Sequence, residues 1–276
     1  MLVNGRKLSE KFPPFIIAEL SANHGGSVER AKKSILEATR AGVSAIKLQT
    51  YTPDTMTIDS SKNDFLIKDG LWAGKNLYEL YEEAHTPFEW HKGLFDCAKE
   101  EGVTIFSTPF DETAVDLLEE LNAPAYKVAS FEIIDIPLLQ KVAKTNKPIF
   151  LSTGMASQNE IKEAVEVIRQ ISDAGLLLFH CISSYPAPTE ESNLRNMIWL
   201  KKSFDVQIGL SDHTTSNVAA LAAIGMGAVA IEKHFKLDDS DCGPDSSFSL
   251  NIDQLSNLVS ECQQAWVAKG QEEFTR

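Results

Sequence analysis

An eightfold alternation constrains this chain more than any other feature. Eight short runs rich in β-branched and aromatic residues recur: FIIAEL (15–20), SAIKLQT (44–50), TIFSTP (104–109), AYKVAS (125–130), IFLST (149–153), LLLFHCI (176–182), VQIGLS (206–211) and AVAIEKHF (228–235). Between them lie longer segments, such as SVERAKKSILEATRAG and QNEIKEAVEVIRQISDAG, in which apolar residues return at i, i+3, i+4 and i+7. Gly42, Gly102, Gly175 and Gly227 fall where such helices would end, the usual place for a glycine cap. Eight strand–helix units in 276 residues predict an α/β fold, a (β/α)8 TIM barrel forming a single domain over residues 1–276. A doubly wound open sheet is the alternative, and the missing GxGxxG after the first strand counts against it.

Two segments break the repeat. Residues 51–85 separate the second strand from its helix by far more than the few residues of an ordinary βα loop. Residues 236–250, KLDDSDCGPDSSFSL, form the last βα loop. Long loops on the C-terminal face of a barrel are expected to serve function. The formal net charge of −13 offers no basic footprint for a nucleic acid. An anionic ligand must therefore meet local cations instead of a favourable global field. Cys97, Cys181, Cys242 and Cys262 have no CxxC spacing and read as reduced thiols. The opening MLVNGRKLSEKF has no apolar signal core, and no apolar run is long enough to span a bilayer. No membrane partner is expected, and the expected compartment is the cytoplasm.

Barrel active sites are built at the C-terminal ends of the strands. Here those ends are polar in every case: Glu19; Lys47 and Gln49; Thr108; Lys127 and Ser130; Ser152; Ser183; Ser211 with His213; Glu232 with His234. Lys47 and Gln49 share strand parity, as do Ser211 and His213, and Glu232 and His234. One serine at a strand end is ordinarily a cap or turn residue, but polar residues at all eight ends are not explained that way. Two lysines in a barrel mouth call for an anion. The hydroxyls of Thr108, Ser130, Ser152 and Ser211 would then supply neutral donors to it. A structural ion pair is the competing reading of Lys127. His213 and His234 end neighbouring strands, so their imidazoles can converge on a divalent ion of the Mn or Zn type, although spacing alone does not decide it. His85, His91 and His180 read as structural, and His24 as either. Glu19, Glu132 and Asp245 are rim carboxylates suited to acid–base work or to sugar hydroxyls. Glu232 is read more simply as an ion pair with Lys233 or Lys236.

The segments IAELSANHGG (17–26), AIKLQTY (45–51), STPFDETAVDLLE (107–119), KVASFE (127–132), STGMAS (152–157), SSYPAP (183–188), GLSDHT (209–214), IEKHF (231–235) and GPDSSFSL (243–250) resemble the sialic acid synthase family. They span nearly the whole chain in order. SANH, SSYPAP and GPDSSFSL are most similar to the pseudaminic acid synthase branch. The resemblance implies condensation of phosphoenolpyruvate with an N-acetylated amino sugar, 2,4-diacetamido-2,4,6-trideoxy-altrose in that branch, to a nonulosonic acid with release of phosphate. N-acetylneuraminate or legionaminate synthesis is the alternative, or a barrel that binds ligand without efficient turnover. Also implied is a divalent metal, Mn2+ ahead of Mg2+ or Co2+, held by His213 and His234. Phosphoenolpyruvate would lie against Lys47, Thr108, Lys127, Ser130, Ser152 and Ser211. The sugar would lie against Glu19, Gln49, Tyr185 and Asp245, with Glu132 beside the reacting carbons. Ser183 stands where N-acetylneuraminate synthases carry Asn. The family usually continues into a small C-terminal antifreeze-like domain that brings an arginine over a partner subunit's site, so a homodimer is the assembly implied. This sequence ends at GQEEFTR, after the eighth barrel helix. The expected unit is therefore the barrel without that domain, turning over slowly.

Overall fold

The structure is a computed structural model and describes residues 1–240 and 243–270. A short antiparallel hairpin, β1 (Leu2–Val3) and β2 (Arg6–Lys7), comes first. Eight parallel strands then close into a barrel: β3 (Phe15–Glu19), β4 (Ala45–Thr50), β5 (Thr104–Pro109), β6 (Tyr126–Val128), β7 (Ile149–Ser152), β8 (Leu176–Cys181), β9 (Gln207–Asp212) and β10 (Ala230–His234), with β10 pairing back to β3. The helices that follow them are α1 (Val28–Arg40), α4 (Phe88–Glu100), α5 (Glu112–Glu120), α6 (Ile136–Lys144), α7 (Gln158–Ile171), α8 (Arg195–Phe204), α9 (Val218–Gly225) and α10 (Ile252–Lys269). The TIM-barrel expectation holds strand by strand. In α1 the buried residues are Ala31, Ser34, Ile35 and Ala38, one face at helical spacing, and Ser27 caps its first turn by accepting from the Arg30 amide.

Strand alternation decides what fills the barrel. One parity packs outward under the helices. The other faces the axis, where Phe15, Ile17, Ala45, Phe106, Ala125, Phe150, Leu177, Phe179 and Ala230 form a buried apolar floor joined by Val3 and Leu8. Phe150 is its hub, with ring centroids 6.2 Å from Phe15, 5.2 Å from Phe106 and 5.7 Å from Phe179. Gly209 makes room for this layer. A Cβ there would lie 2.5 Å from the Phe179 ring and 2.7 Å from the Ala230 carbonyl oxygen. Truncating a core Phe to Ala costs about 3–5 kcal/mol, so this floor contributes to stability independently of the mouth above it.

Two residues further along, the same inward parity turns polar. Ile17 gives way to Glu19, Ala45 to Lys47, Phe106 to Thr108, Ala125 to Lys127, Phe150 to Ser152, Gly209 to Ser211 and Ala230 to Glu232. The 51–85 segment has structure of its own: α2 (Pro53–Met56), a 3-10 turn at Asn63–Phe65, a bridge between Leu66 and Asn76, and α3 (Leu77–Ala84). It is tied across the mouth by Trp72, whose indole N–H donates to the Pro244 carbonyl at 2.9 Å. Cys97, Cys181 and Cys262 are free thiols; Cys242 lies outside the described residues. Among the described residues no helix is long and apolar enough to cross a membrane.

Candidate active site

Barrel register sets the polar residues side by side: Glu19 against Lys47 and His234, Gln49 against Thr108, Glu232 against Ser211. Glu19, Lys47, Lys127 and Glu232 are all buried. Lys47 forms an ion pair with Glu19, stands 3.8 Å from Glu232 Oε1 and donates to Thr108 Oγ1 at 3.0 Å. Lys127 donates to Glu232 Oε1 at 2.9 Å and sits 5.0 Å from the Phe179 ring centroid. Ser211 Oγ donates to the same Glu232 oxygen at 2.9 Å. The sequence reading of Glu232 is thereby corrected. Lys233 pairs instead with Asp212 at 2.5 Å, and Lys236 with Asp239 at 3.4 Å. Chain neighbours on a strand face opposite sides, so Lys233 cannot share Glu232's face.

The four charges set one another's protonation. Burial raises the Glu232 carboxyl, but Lys127 and Lys47, with hydrogen bonds from Lys127 and Ser211, hold it down at about 2. Burial lifts Glu19 to about 7, with Lys47 drawing it down and Glu232 pushing it up. Lys47 lies above its ordinary value: burial lowers it, and Glu19 and Glu232 outweigh burial. Lys127 lies below its ordinary value because burial and Lys47 outweigh the pull of Glu232.

Beside this layer is a cradle of small donors. A Cβ on Gly154 would come within 2.5 Å of Cys181 Sγ, 2.7 Å of Ser183 Oγ and 2.9 Å of Ser130 Oγ, so three groups converge over a residue with no room for a side chain. The Gly154 amide donates to Ser130 Oγ at 3.1 Å, and Ser130 Oγ lies 3.0 Å from Cys181 Sγ. Ser152 is buried at the end of β7. Glu132 opens the 3-10 turn Glu132–Ile134, and its Oε2 is buried without a hydrogen-bond partner. Burial raises the Glu132 carboxyl to about 7; its own amide and Lys127 pull down while Asp135 pushes up.

The two candidate metal ligands meet at the rim. The rings of His213 and His234 have centroids 5.5 Å apart. His213 Nδ1 donates to the Ile182 carbonyl at 2.9 Å, which leaves Nε2 as the free donor atom. His234 Nδ1 is buried without a hydrogen-bond partner and lies 3.7 Å from Asp245 Oδ2. Burial lowers both imidazoles, His234 well below its ordinary value, so both are neutral near pH 7, the form that ligates a metal. Among the described residues no group of three His, Cys, Asp or Glu gathers. Any divalent ion here would have as its protein ligands the two imidazoles, through His213 Nε2 and the buried, unpartnered His234 Nδ1. Tyr185 packs beside it at tilted or edge-on angles, with ring centroids 4.5 Å from His213, 6.4 Å from His234, 5.2 Å from Phe248 and 6.2 Å from Trp72. Gln49 Nε2 donates to Ser21 Oγ at 2.9 Å, and Ser21 Oγ in turn donates to Asp245.

Every sequence-derived candidate thus falls at the mouth. The remaining histidines are held by partners outside this set: His180 Nε2 bonds the Ser192 carbonyl at 2.7 Å, His91 bonds Thr50 at 2.8 Å, His85 bonds the Glu82 carbonyl at 2.7 Å, and His24 packs edge-on to Trp90. Sequence reasoning passed over Ser21, Trp72, Gly154 and Cys181. Only Cys181 carried a usable signal, since it shares inward parity with Phe179 at the end of its strand.

The sequence profile of the NeuB family matches residues 34–274. The chain belongs to the NeuB family. A pseudaminic acid synthase of Campylobacter jejuni is 46% identical over 256 residues, 93% of this chain and 75% of that protein. The pseudaminic acid synthase of Helicobacter pylori is 44% identical over 261 residues, 95% of this chain and 77% of that protein. The crystal structure of an N-acetylneuraminic acid synthetase from Leptospira borgpetersenii, in complex with citrate, superposes with a TM-score of 0.90 at 30% identity, covering 100% of this chain and 92% of that one. This NeuB family member is an enzyme, a synthase on a TIM barrel, as its motifs imply.

Proposed function

We propose that this NeuB family enzyme condenses phosphoenolpyruvate with 2,4-diacetamido-2,4,6-trideoxy-altrose to form pseudaminic acid and inorganic phosphate, with a divalent metal, Mn2+ ahead of Mg2+ or Co2+. One observation carries the reading: two buried lysines and a hydroxyl set stand beside two neutral imidazoles on one ring of strand ends. The 46% and 44% identities to proteins named as pseudaminic acid synthases favour this sugar over the N-acetylneuraminate and legionaminate precursors.

Lys47 and Lys127 meet the phosphate and carboxylate of phosphoenolpyruvate, and Thr108, Ser130, Ser152 and Ser211 donate to its oxygens. Each charge-assisted contact contributes on the order of 1.5–3 kcal/mol. Before substrate arrives, Glu19 and Glu232 neutralise these cations. The incoming anion displaces carboxylate partners, and Glu19, poised at about 7, takes up a proton and relieves the repulsion. Glu19, Gln49, Tyr185 and Asp245 line the sugar. His213 and His234 would hold the metal, which when bound supplies Lewis-acid polarisation of the open-chain aldehyde.

C3 of phosphoenolpyruvate forms the new bond to the aldehyde carbon, leaving cationic character at C2. Water adds at C2, the C2–O bond breaks, and phosphate departs with the bridging oxygen. Of the two protons of that water, one balances the proton gained by the new hydroxyl, and the other leaves on the phosphate as the C2 carbonyl forms. The reading gives Glu132, whose Oε2 is buried and unpartnered, the role of accepting the proton from that water. Orientation and pre-formed donors carry much of the acceleration.

The test is steady-state phosphate release with phosphoenolpyruvate and each of the diacetamido sugar and N-acetylmannosamine, before and after EDTA and Mn2+ re-addition. Release should need both substrates, stop with EDTA, return with Mn2+, and show the higher kcat/KM with the diacetamido sugar. Release without sugar, or indifference to EDTA, contradicts the reaction; preference for N-acetylmannosamine contradicts the sugar.

A further inference from the structure

The turn that follows β3 holds a serine in a conformation that glycine ordinarily takes. The Asn23 amide donates to the Leu20 carbonyl at 3.0 Å, which closes a β-turn with Ser21 and Ala22 at its centre. Ser21 has φ +44°, and Ala22 is not among the positive-φ residues. A positive φ at the first central position alone is the pattern of a type II′ turn, where glycine is favoured because a Cβ there crowds the backbone. Such strain persists only where the surroundings over-determine it, and it gathers at functional sites.

What over-determines Ser21 is a set of three polar contacts. It is buried, 4% exposed, so each must be met internally. Its amide donates to Glu19 Oε1 at 2.9 Å. Its hydroxyl accepts from Gln49 Nε2 at 2.9 Å and donates to Asp245 Oδ2. Glu19 ends β3, Gln49 lies on β4, and Asp245 lies in the loop after β10. One strained residue therefore joins three separate elements. A glycine would relax the backbone but could not make either side-chain contact. With one Nε2 hydrogen committed to Ser21, the Gln49 amide is held in one sense, and it keeps its carbonyl oxygen, an acceptor, together with its second N–H for a ligand. An acceptor suits a substituent that offers N–H, such as an acetamido group.

We infer that Ser21 is a positioning residue for sugar selection, fixing the Gln49 amide and the Asp245 carboxylate so that they present one hydrogen-bonding pattern to an acetamido sugar. The inference rests on the proposed reaction and says which feature of the mouth reads the sugar. Gln49 and Asp245 touch the substrate; Ser21 acts through them.

Two variants separate hydroxyl from strain. Ser21→Gly removes both, and Ser21→Ala removes the hydroxyl alone. In steady-state assays both should raise the KM for the diacetamido sugar about tenfold, one hydrogen bond's worth. The KM for phosphoenolpyruvate should stay within about twofold, and the preference over N-acetylmannosamine should narrow. Thermal unfolding should place Ser21→Gly at or above the wild type and Ser21→Ala below Ser21→Gly. An unchanged sugar KM, or an equal rise in both KM values, overturns the inference, and so does a Ser21→Gly protein that is much less stable than the wild type. If the wild type turns over no acetamido sugar, the proposed reaction fails separately. The hub is then read without turnover, by a urea double-mutant cycle of Ser21→Ala and Asp245→Asn. A coupling of about fivefold or more in the unfolding equilibrium upholds the fixed geometry, and additivity overturns it.

Discussion

Glu132 carries a titration that burial has moved, and its sign can be worked out. The carboxyl goes from an ordinary 4.5 to about 7 in the fold. Below pH 4.5 both folded and unfolded chains hold the proton. Between 4.5 and 7 only the folded chain holds it, so stability falls as pH rises through this window and levels off above it. At about 1.36 kcal/mol per unit, the full loss is on the order of 3 kcal/mol. Glu132→Gln, which cannot ionise, should therefore exceed the wild type in urea-unfolding stability at pH 8 but match it at pH 4. Its kcat should be low and flat where the wild type's rises through about 7. Equal stabilities at both pH values would contradict the buried carboxyl. For Lys127, Lys127→Met should weaken phosphoenolpyruvate binding roughly ten- to hundredfold and lower Tm by stranding Glu232. Lys127→Met with Glu232→Gln should recover Tm but not binding, measured by calorimetry. Recovery of both would mean that Lys127 serves the ion pair alone. Most of these residues are legible in the sequence, because a period of two projects Lys47, Lys127, Ser211 and His234 onto one face. Ser21 is not, since its signal is a backbone angle. Glu232 is misread because Lys233 lies on the other face of its strand and Lys236 lies beyond the strand's end, paired with Asp239.

Elements follow the same division. All eight barrel strands and the helices between them can be found from periodicity, since each run is long enough to show two- or 3.6-residue spacing. The 51–85 segment is visible only as an excess of length. Of its pieces, α2 and the 3-10 turn are too short to carry a period, and α3 is two turns long. Its anchor is not local either, because Trp72 and Pro244 are 172 residues apart. Trp72→Phe removes the indole donor and keeps a ring near Tyr185. The loss of one neutral hydrogen bond, about 0.5–1.5 kcal/mol, should speed amide hydrogen exchange several-fold in residues 60–76 and 243–250 while leaving β3–β10 unchanged. Unchanged exchange in both segments would show that the indole bond does not hold the insertion over the mouth.

At the scale of the whole molecule, a net charge of −13 surrounds a site proposed to bind a phosphate. The fold reconciles the two by burying Lys47 and Lys127 at the end of the barrel, where local geometry outweighs the distant field. The aromatic floor around Phe150 stabilises the barrel below, so the mouth is free to hold unsatisfied groups such as Glu132 Oε2, Glu232 Oε2 and His234 Nδ1. In the proposed reaction one mouth seats a metal on its imidazoles and a phosphate on its lysines. The most direct measurement is a crystal of the chain grown with Mn2+ and phosphoenolpyruvate, with diffraction collected at the manganese edge. The expected result is one anomalous peak between His213 and His234, with the phosphoenolpyruvate phosphate and carboxylate in contact with Lys47 and Lys127. A manganese peak elsewhere, or phosphoenolpyruvate bound away from both lysines, would contradict the account.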